Sequence, residues 1–368
     1  MSSPFAGSGV RTLVSTATTI TTAFRRWQNN GRRTSGWGGL LYVLPALIIL
    51  VIFEIWPIFF NIYISLWRWD VGPLRFVGLA NYERLFGEGF LTVDYNQQLA
   101  VGEVLRSLIV TGYYVLGRVP LTIALAFLLA YLLFIWVKRG RVVLRTAYFL
   151  PYVTNSAAIA LVFAWIFDAR IGVFNALLER VGLPPLTWLN DPIPFVERLL
   201  SGPESAGLSN WPDLAAGPSV AMVVIILYSI WTSLGYNIVI YLAGLTSIPN
   251  ELIEAARIDG ADNRIILRRI IWPLVTPTTF FLLIANTIFA FQAFDPIYIL
   301  TRKTGVGGGG AGGPLESTLT VTVLIFRNFY ERANAVGYAA AIALLLFLII
   351  LGLTIVQFRL FSRRVHYQ

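Results

Sequence analysis

Six apolar runs, each about as long as the roughly 20 residues an α-helix needs to cross a bilayer, restrict this chain to a helical membrane architecture. The first reads LLYVLPALIILVIFEIWPIFFNIYISL, about residues 40–66, and the others lie at about 105–137, 142–167, 219–245, 274–300 and 335–358. Pro45, Pro57, Pro120 and Pro151 fall inside them. Membrane helices tolerate proline where neighbouring groups satisfy the freed backbone, and Pro120 makes the long second run a place for tilt or a break. Only 13% of the residues are charged, against about a quarter in a soluble domain. The expected fold is all-α and integral to the membrane, with six spans.

Charge placement orients the spans. Residues 1–38 form a polar tail that ends in Arg25, Arg26, Arg32 and Arg33, without the early apolar core of a secretory signal. Lys138, Arg139, Arg141 and Arg145 mark a tight turn after the second run, and Arg359, Arg363 and Arg364 close the chain in a tail at 359–368. With both tails inside, more than half of the 28 Lys and Arg lie on the cytoplasmic side, as the positive-inside bias requires. Asp70, Glu83, Asp94, Asp168 and Asp191 then fall outside. The segment at 67–104 reads as a folded outer loop and 168–218, with LTWLND and a proline–glycine cluster, as a small extracytoplasmic cap. Residues 319–330 read as a re-entrant or outer helix. The net charge of +9 is scattered beside apolar runs, so topology accounts for it and nucleic acid does not. No cysteine is present and His366 is the single histidine, which leaves no donor set for a metal and no thiol nucleophile. The glycine run in TRKTGVGGGGAGGPLEST lacks the Gly-Lys-Ser or Gly-Lys-Thr of a phosphate loop and reads as a flexible outer loop.

One charged passage, at 246–273, lies between the fourth and fifth runs on the predicted cytoplasmic side. Glu251 and Glu254 follow Pro249 and suit the start of a helix, Gly260 stops it, and Asp262 or Asn263 caps a second amphipathic helix. That second helix carries Arg264, Arg268 and Arg269 among isoleucines and reads as lying at the membrane surface. Ala255 and Ala256 leave one patch small enough to enter a groove on another protein, with Glu254 and Arg257 as polar latches. Glu254, Ala255, Ala256, Asp259, Gly260, Ala261, Ile270 and Pro273 resemble the Glu-Ala-Ala and Asp-Gly-Ala coupling loop of bacterial binding-protein-dependent ABC importer permeases. Trp272 stands where that family has leucine, and Leu267 where it has an aromatic residue. FVGLANY at 76–82 and the glycine–proline loop at 300–318 resemble the carbohydrate and glycerol-phosphate branch. The resemblance implies a six-span permease with a cytoplasmic coupling helix in the inner membrane. It also implies a second homologous permease, two ATPase subunits that hold ATP and Mg, an extracytoplasmic solute-binding protein and a carbohydrate solute. No cofactor or catalytic residue is expected on this chain, which lacks a Walker A sequence.

Solute contacts are sought in the polar minority of the spans, because an unsatisfied polar group there is expensive. Asn155, Tyr236, Asn237, Asn286 and Gln292 are the candidates, with Trp165, Trp231, Phe291 and Phe294 as rings for a sugar face and Asp295 near the outer mouth. Each polar residue has a competing reading as a tie between helices. Glu54 and Arg118, ionisable and set in apolar surroundings, are read as structural or interfacial. An importer of a non-sugar solute, a secondary transporter or channel, and a membrane enzyme are the alternatives.

Overall fold

The computed structural model describes residues 36–93, 99–136, 140–201, 217–301 and 311–361. The basic tail at 1–35, Lys138, Arg139, most of the proline–glycine cluster, the glycine run at 302–310, Arg363, Arg364 and His366 lie outside the described residues. The chain divides into two units, Met1–Asn61 and Ile62–Gln368.

α1 (Gly36–Leu50) in the first unit passes through a π-turn, Val51–Ile55, into α2 (Trp56–Ser65), whose last residues, from Ile62, belong to the second unit. The Trp56 N–H reaches the Val51 carbonyl, five residues back, immediately before Pro57. Proline lacks an N–H and its ring crowds the carbonyl four residues earlier, and the wider turn relieves both. Leu47, Ile52 and Phe53 are exposed, as lipid-facing or partner-facing side chains are.

After the end of α2 the second unit forms an antiparallel hairpin, β1 (Trp67–Trp69) and β2 (Pro73–Phe76), followed by α3 (Ala80–Phe86). Here the FVGLANY segment acts as a clasp. Asn81 Nδ2 donates to the Ser65 and Trp67 carbonyls at 2.8 and 3.1 Å, and Tyr82 OH meets Ser65 Oγ. A second hairpin, β3 (Leu91–Val93) and β4 (Leu99–Val101), leads into α4 (Glu103–Trp136). Its 34 residues make a helix about 50 Å long that runs unbroken through Pro120.

The expected third span is two helices, α5 (Arg141–Val153) and α6 (Ser156–Ile166), bent by 93°. Thr154 is extended (φ −70°, ψ 148°), and Asn155 then caps α6 by accepting from Ala157 and Ala158 N–H. That cap satisfies donors at the break. The outer loop that follows holds α7 (Val173–Arg180) and α8 (Phe195–Ser201). Buried Asn175 ties it together by accepting from Leu186 N and Trp188 Nε1 and donating to the Ala169 and Leu186 carbonyls. Buried Asp191 sits 3.1 Å from Arg198.

α9 (Val220–Thr246) is the central post, N-capped by Ser219 Oγ, which accepts from Met222 N at 3.1 Å. Its first half joins Tyr114, Leu324 and Ile342 in one apolar core, and its second half joins Ala126, Ala130, Ile271 and Leu282 in another. α5 crosses it at Gly235, where a Cβ would lie 1.8 Å from the Tyr148 carbonyl. α10 (Asn250–Ile258) follows at the end of α9 away from the 168–218 loop.

The chain then runs as α11 (Asn263–Ile266), a π-turn at Leu267–Ile271, and α12 (Trp272–Phe291). The second amphipathic helix of the charged passage is thus the first turns of the fifth membrane helix, and not a separate helix at the membrane surface. Its π-turn again precedes a Trp-Pro pair, with Trp272 N–H on the Leu267 carbonyl. α13 (Asp295–Thr301), α14 (Val321–Phe326) and α15 (Val336–Phe361) complete the fold. Five helices among the described residues are long and apolar enough to cross a membrane, and six spans result if the bent α5–α6 pair counts as one.

Candidate functional site

Two surfaces stand at the two ends of the Asn263–Phe291 helix. The first is α10. Pro249 starts it in an extended conformation, Glu251 lies in its first turn, and Gly260 ends it with φ +80°. Ala261 N–H turns back to the Ala256 carbonyl at 2.9 Å, which seals the helix end. Asp262 Oδ1 then accepts from Ile265 N–H at 2.7 Å and opens the next helix. No residue of α10 is fully buried. Ile253, Ala256 and Ala261 rest on the apolar core, whereas Glu254, Ala255, Arg257 and Asp259 are exposed and Ile258 is 87% exposed. Ala255 is exposed while Ala256 is half-buried against the apolar core, so the two do not make one outward patch. The outward face is Glu254, Ala255, Arg257 and Ile258.

The second surface is a cavity of about 310 Å³ at the break between α5 and α6. α4 contributes Tyr114 and Arg118, the break Tyr152 and Thr154, α9 Tyr228 and Thr232, and the end of α12 and start of α13 Gln292 and Asp295. The walls are braced: Tyr114 OH donates to Ser229 Oγ at 2.9 Å, and Tyr228 OH donates to the Ser156 carbonyl at 2.9 Å. Gln292 and Asp295 are exposed within it. Rings beside hydroxyl, amide and carboxylate groups match the chemistry of a polyhydroxylated solute, whose C–H faces stack and whose hydroxyls donate and accept.

Of the five expected solute contacts, Gln292 lines this cavity. Asn237 and Asn286 do not: both are buried, and Asn286 Nδ2 donates to Asn237 Oδ1 at 2.7 Å, which ties α9 to α12. Asn155 spends its oxygen on the α6 cap. Tyr236 stacks on Tyr152 at 4.9 Å, but lines a separate apolar depression with Phe280, Phe281 and Phe358. Among the expected rings Phe294 lines the cavity, while Trp165, Trp231 and Phe291 do not. Arg118, read from sequence as structural or interfacial, is a cavity residue, as are Tyr114, Tyr152 and Tyr228. The available signal was the Tyr114–Arg118 spacing, which puts both on one face of a helix.

Comparison with known proteins places this arrangement. The family of binding-protein-dependent transport system inner membrane components matches residues 118–367. An sn-glycerol-3-phosphate transport system permease protein, UgpA, from Rhizobium meliloti (strain 1021) is 32% identical over 329 residues, covering 89% of this chain and 95% of that protein. The Yersinia pestis protein of the same description is 30% identical over 334 residues, with 90% and 96% covered. A probable ABC transporter permease from Pyrococcus horikoshii is 32% identical, covering 85% of this chain and 91% of that one. In fold, the chain resembles one from the crystal structure of a bacterial ABC transporter involved in the import of the acidic polysaccharide alginate. The TM-score is 0.67 at 20% identity, with 93% of this chain and 100% of that chain covered. The complex of the alginate transporter with its alginate pentasaccharide-bound periplasmic protein gives 0.68 at 20% identity, with 92% and 98% covered. The apolar helices, the broken span and these matches together make the chain a member of the binding-protein-dependent transport system inner membrane components, the multi-pass permeases of ABC importers.

Proposed function

We propose that this chain is one permease half of an ATP-driven importer for a carbohydrate-class solute: a sugar, an oligosaccharide or glycerol phosphate. It works with a second homologous permease, two ATPase subunits that bind ATP and Mg, and an extracytoplasmic solute-binding protein. Both tails and α10 face the cytoplasm, in line with the distribution of Lys and Arg. The relatives named for sn-glycerol-3-phosphate transport support the solute class.

The observation that carries this reading is a continuous mechanical link. The exposed helix with Glu254, Ala255, Arg257 and Ile258 joins, through Gly260 and the Asp262 cap, a helix whose far end leads directly to Gln292 and Asp295 in the cavity. Closure of the ATPase pair pushes α10, the Asn263–Phe291 helix transmits the displacement, and the cavity changes the side to which it opens. Such rigid-body rocking between two states is the physical content of alternating access. In this scheme Asp259 and Ala261 hold the bend, Glu254 and Arg257 contact the ATPase, and Gln292 contacts the solute.

The assembly reconstituted in proteoliposomes tests the reading. Glu254→Arg and Gly260→Val are expected to abolish solute-stimulated ATP hydrolysis while the complex still purifies intact. Gln292→Ala is expected to raise the KM of uptake without that uncoupling. Stimulated hydrolysis that survives in both Glu254→Arg and Gly260→Val would overturn the assignment.

A further inference from the structure

We propose that Arg118 reads an acidic group on the solute, so that the carbohydrate imported through this cavity is an anion, either a phosphate monoester or a sugar carboxylate. The inference rests on the carbohydrate reading above and narrows it.

Arg118 lies near the middle of α4, where a guanidinium is expensive to keep without a partner. Among the described residues the ion pairs are Arg84–Glu88, Arg198–Asp191, Arg327–Glu316 and Arg332–Glu103, and Arg118 belongs to none of them. Its Nε is buried with no hydrogen-bond partner. What it has is a shelf: its Cζ lies 5.8 Å from the centre of the Tyr114 ring one turn earlier, and that ring is pinned by its bond to Ser229. A cation–π contact positions a guanidinium without using up its donors. The side chain lines the cavity with those donors available.

Asp295 is the other charged residue of the cavity lining, and it forms no ion pair with Arg118. The cavity therefore presents separated positive and negative groups. A neutral sugar leaves the guanidinium uncompensated. A solute with an acid at one end and hydroxyls at the other suits both, since the acid accepts the planar fork of Arg118 while hydroxyls donate to Asp295 and exchange bonds with Gln292. Tyr152 and Phe294 are aromatic residues of the same lining.

The chain contains no cysteine, so Arg118→Cys places a single thiol in this subunit. The experiment measures uptake of radiolabelled glycerol 3-phosphate, trigalacturonate and neutral maltotriose by the full assembly, its other subunits made cysteine-free. Wild type is expected to import one of the two acidic probes, and which one is taken distinguishes phosphate from carboxylate. Arg118→Gln and Arg118→Cys are expected to lose that uptake about 10- to 100-fold at low solute, the scale of a charge-assisted pair. Treating Arg118→Cys with 2-aminoethyl methanethiosulfonate restores an ammonium and part of the uptake, whereas the sulfonatoethyl reagent does not. A role in folding alone would not respond to the sign of the added charge. Import of maltotriose but neither acid, or acid uptake unchanged in Arg118→Gln, overturns the inference and leaves the carbohydrate reading standing. Import of none of the three overturns both.

Discussion

Replacing Asn286 by alanine separates a helix tie from a solute contact, and the size of the effect follows from the bonds that remain. Asn286 Nδ2 donates to Asn237 Oδ1 at 2.7 Å, while the return bond, at 3.5 Å, is at the limit of a hydrogen bond and adds little. Asn237 Nδ2 keeps the Ser233 carbonyl at 2.8 Å in the variant. What Asn286→Ala strands is therefore one buried amide oxygen, a loss of about 1–3 kcal/mol. Membrane pairs run lower, about 0.6 kcal/mol on average with a maximum near 1.7, because the dissociated helices also find partners. A double-mutant cycle over Asn237→Ala and Asn286→Ala is thus expected to give a coupling of about 1 kcal/mol. The assay is denaturant unfolding of the purified assembly in detergent, with the KM of uptake measured in parallel. The KM stays within twofold of wild type. Zero coupling, together with single variants of normal stability and raised KM, would refute the argument and return both amides to the solute path.

Three further outcomes are expected. Gly235→Ala puts a methyl 1.8 Å from the Tyr148 carbonyl, which no rotamer relieves, so the assembly is lost on size-exclusion chromatography; Gly112→Ala, with nothing within 4 Å, is the tolerated control. At Gly260, with φ +80°, alanine adds about 1–2 kcal/mol of left-handed strain and asparagine less, so stimulated ATP hydrolysis should fall in the order Gly, Asn, Ala. Arg198→Ala leaves Asp191, 2% exposed, as an uncompensated charge and destabilises the outer loop by about 3–5 kcal/mol, read as faster limited proteolysis there, with Asp191→Asn restoring part of the loss.

The charged passage at 246–273 was legible because its signals are local. Pro249, Gly260 and Asp262 act on their own backbone, and each does in the fold what its residue type demands. The apolar runs were legible for the same reason. The cavity was not, because its walls come from four separate stretches of the chain, one of them the 93° break at Thr154 and Asn155. A span read at 142–167 passes over that break, since its hydropathy is continuous even though its backbone is not. Asn237 and Asn286 lie 49 positions apart, and nothing in either segment announces that they bond to each other. Arg118 was hidden in the opposite way: an isolated arginine in an apolar run looks like a structural residue until the absence of a carboxylate beside it is visible.

The turn at Leu267–Ile271 sets the phase of everything beyond it. A π-turn accommodates one residue more than an α-turn, so side chains after Pro273 are rotated by about 100° from where an unbroken helix would carry them. Arg268 and Arg269 are exposed at one end of the rod, and Phe289 lines the cavity at the other. Removing one residue from that turn, with no change in composition or length elsewhere, would re-aim the side chains of the Asn263–Phe291 helix relative to the passage that precedes it.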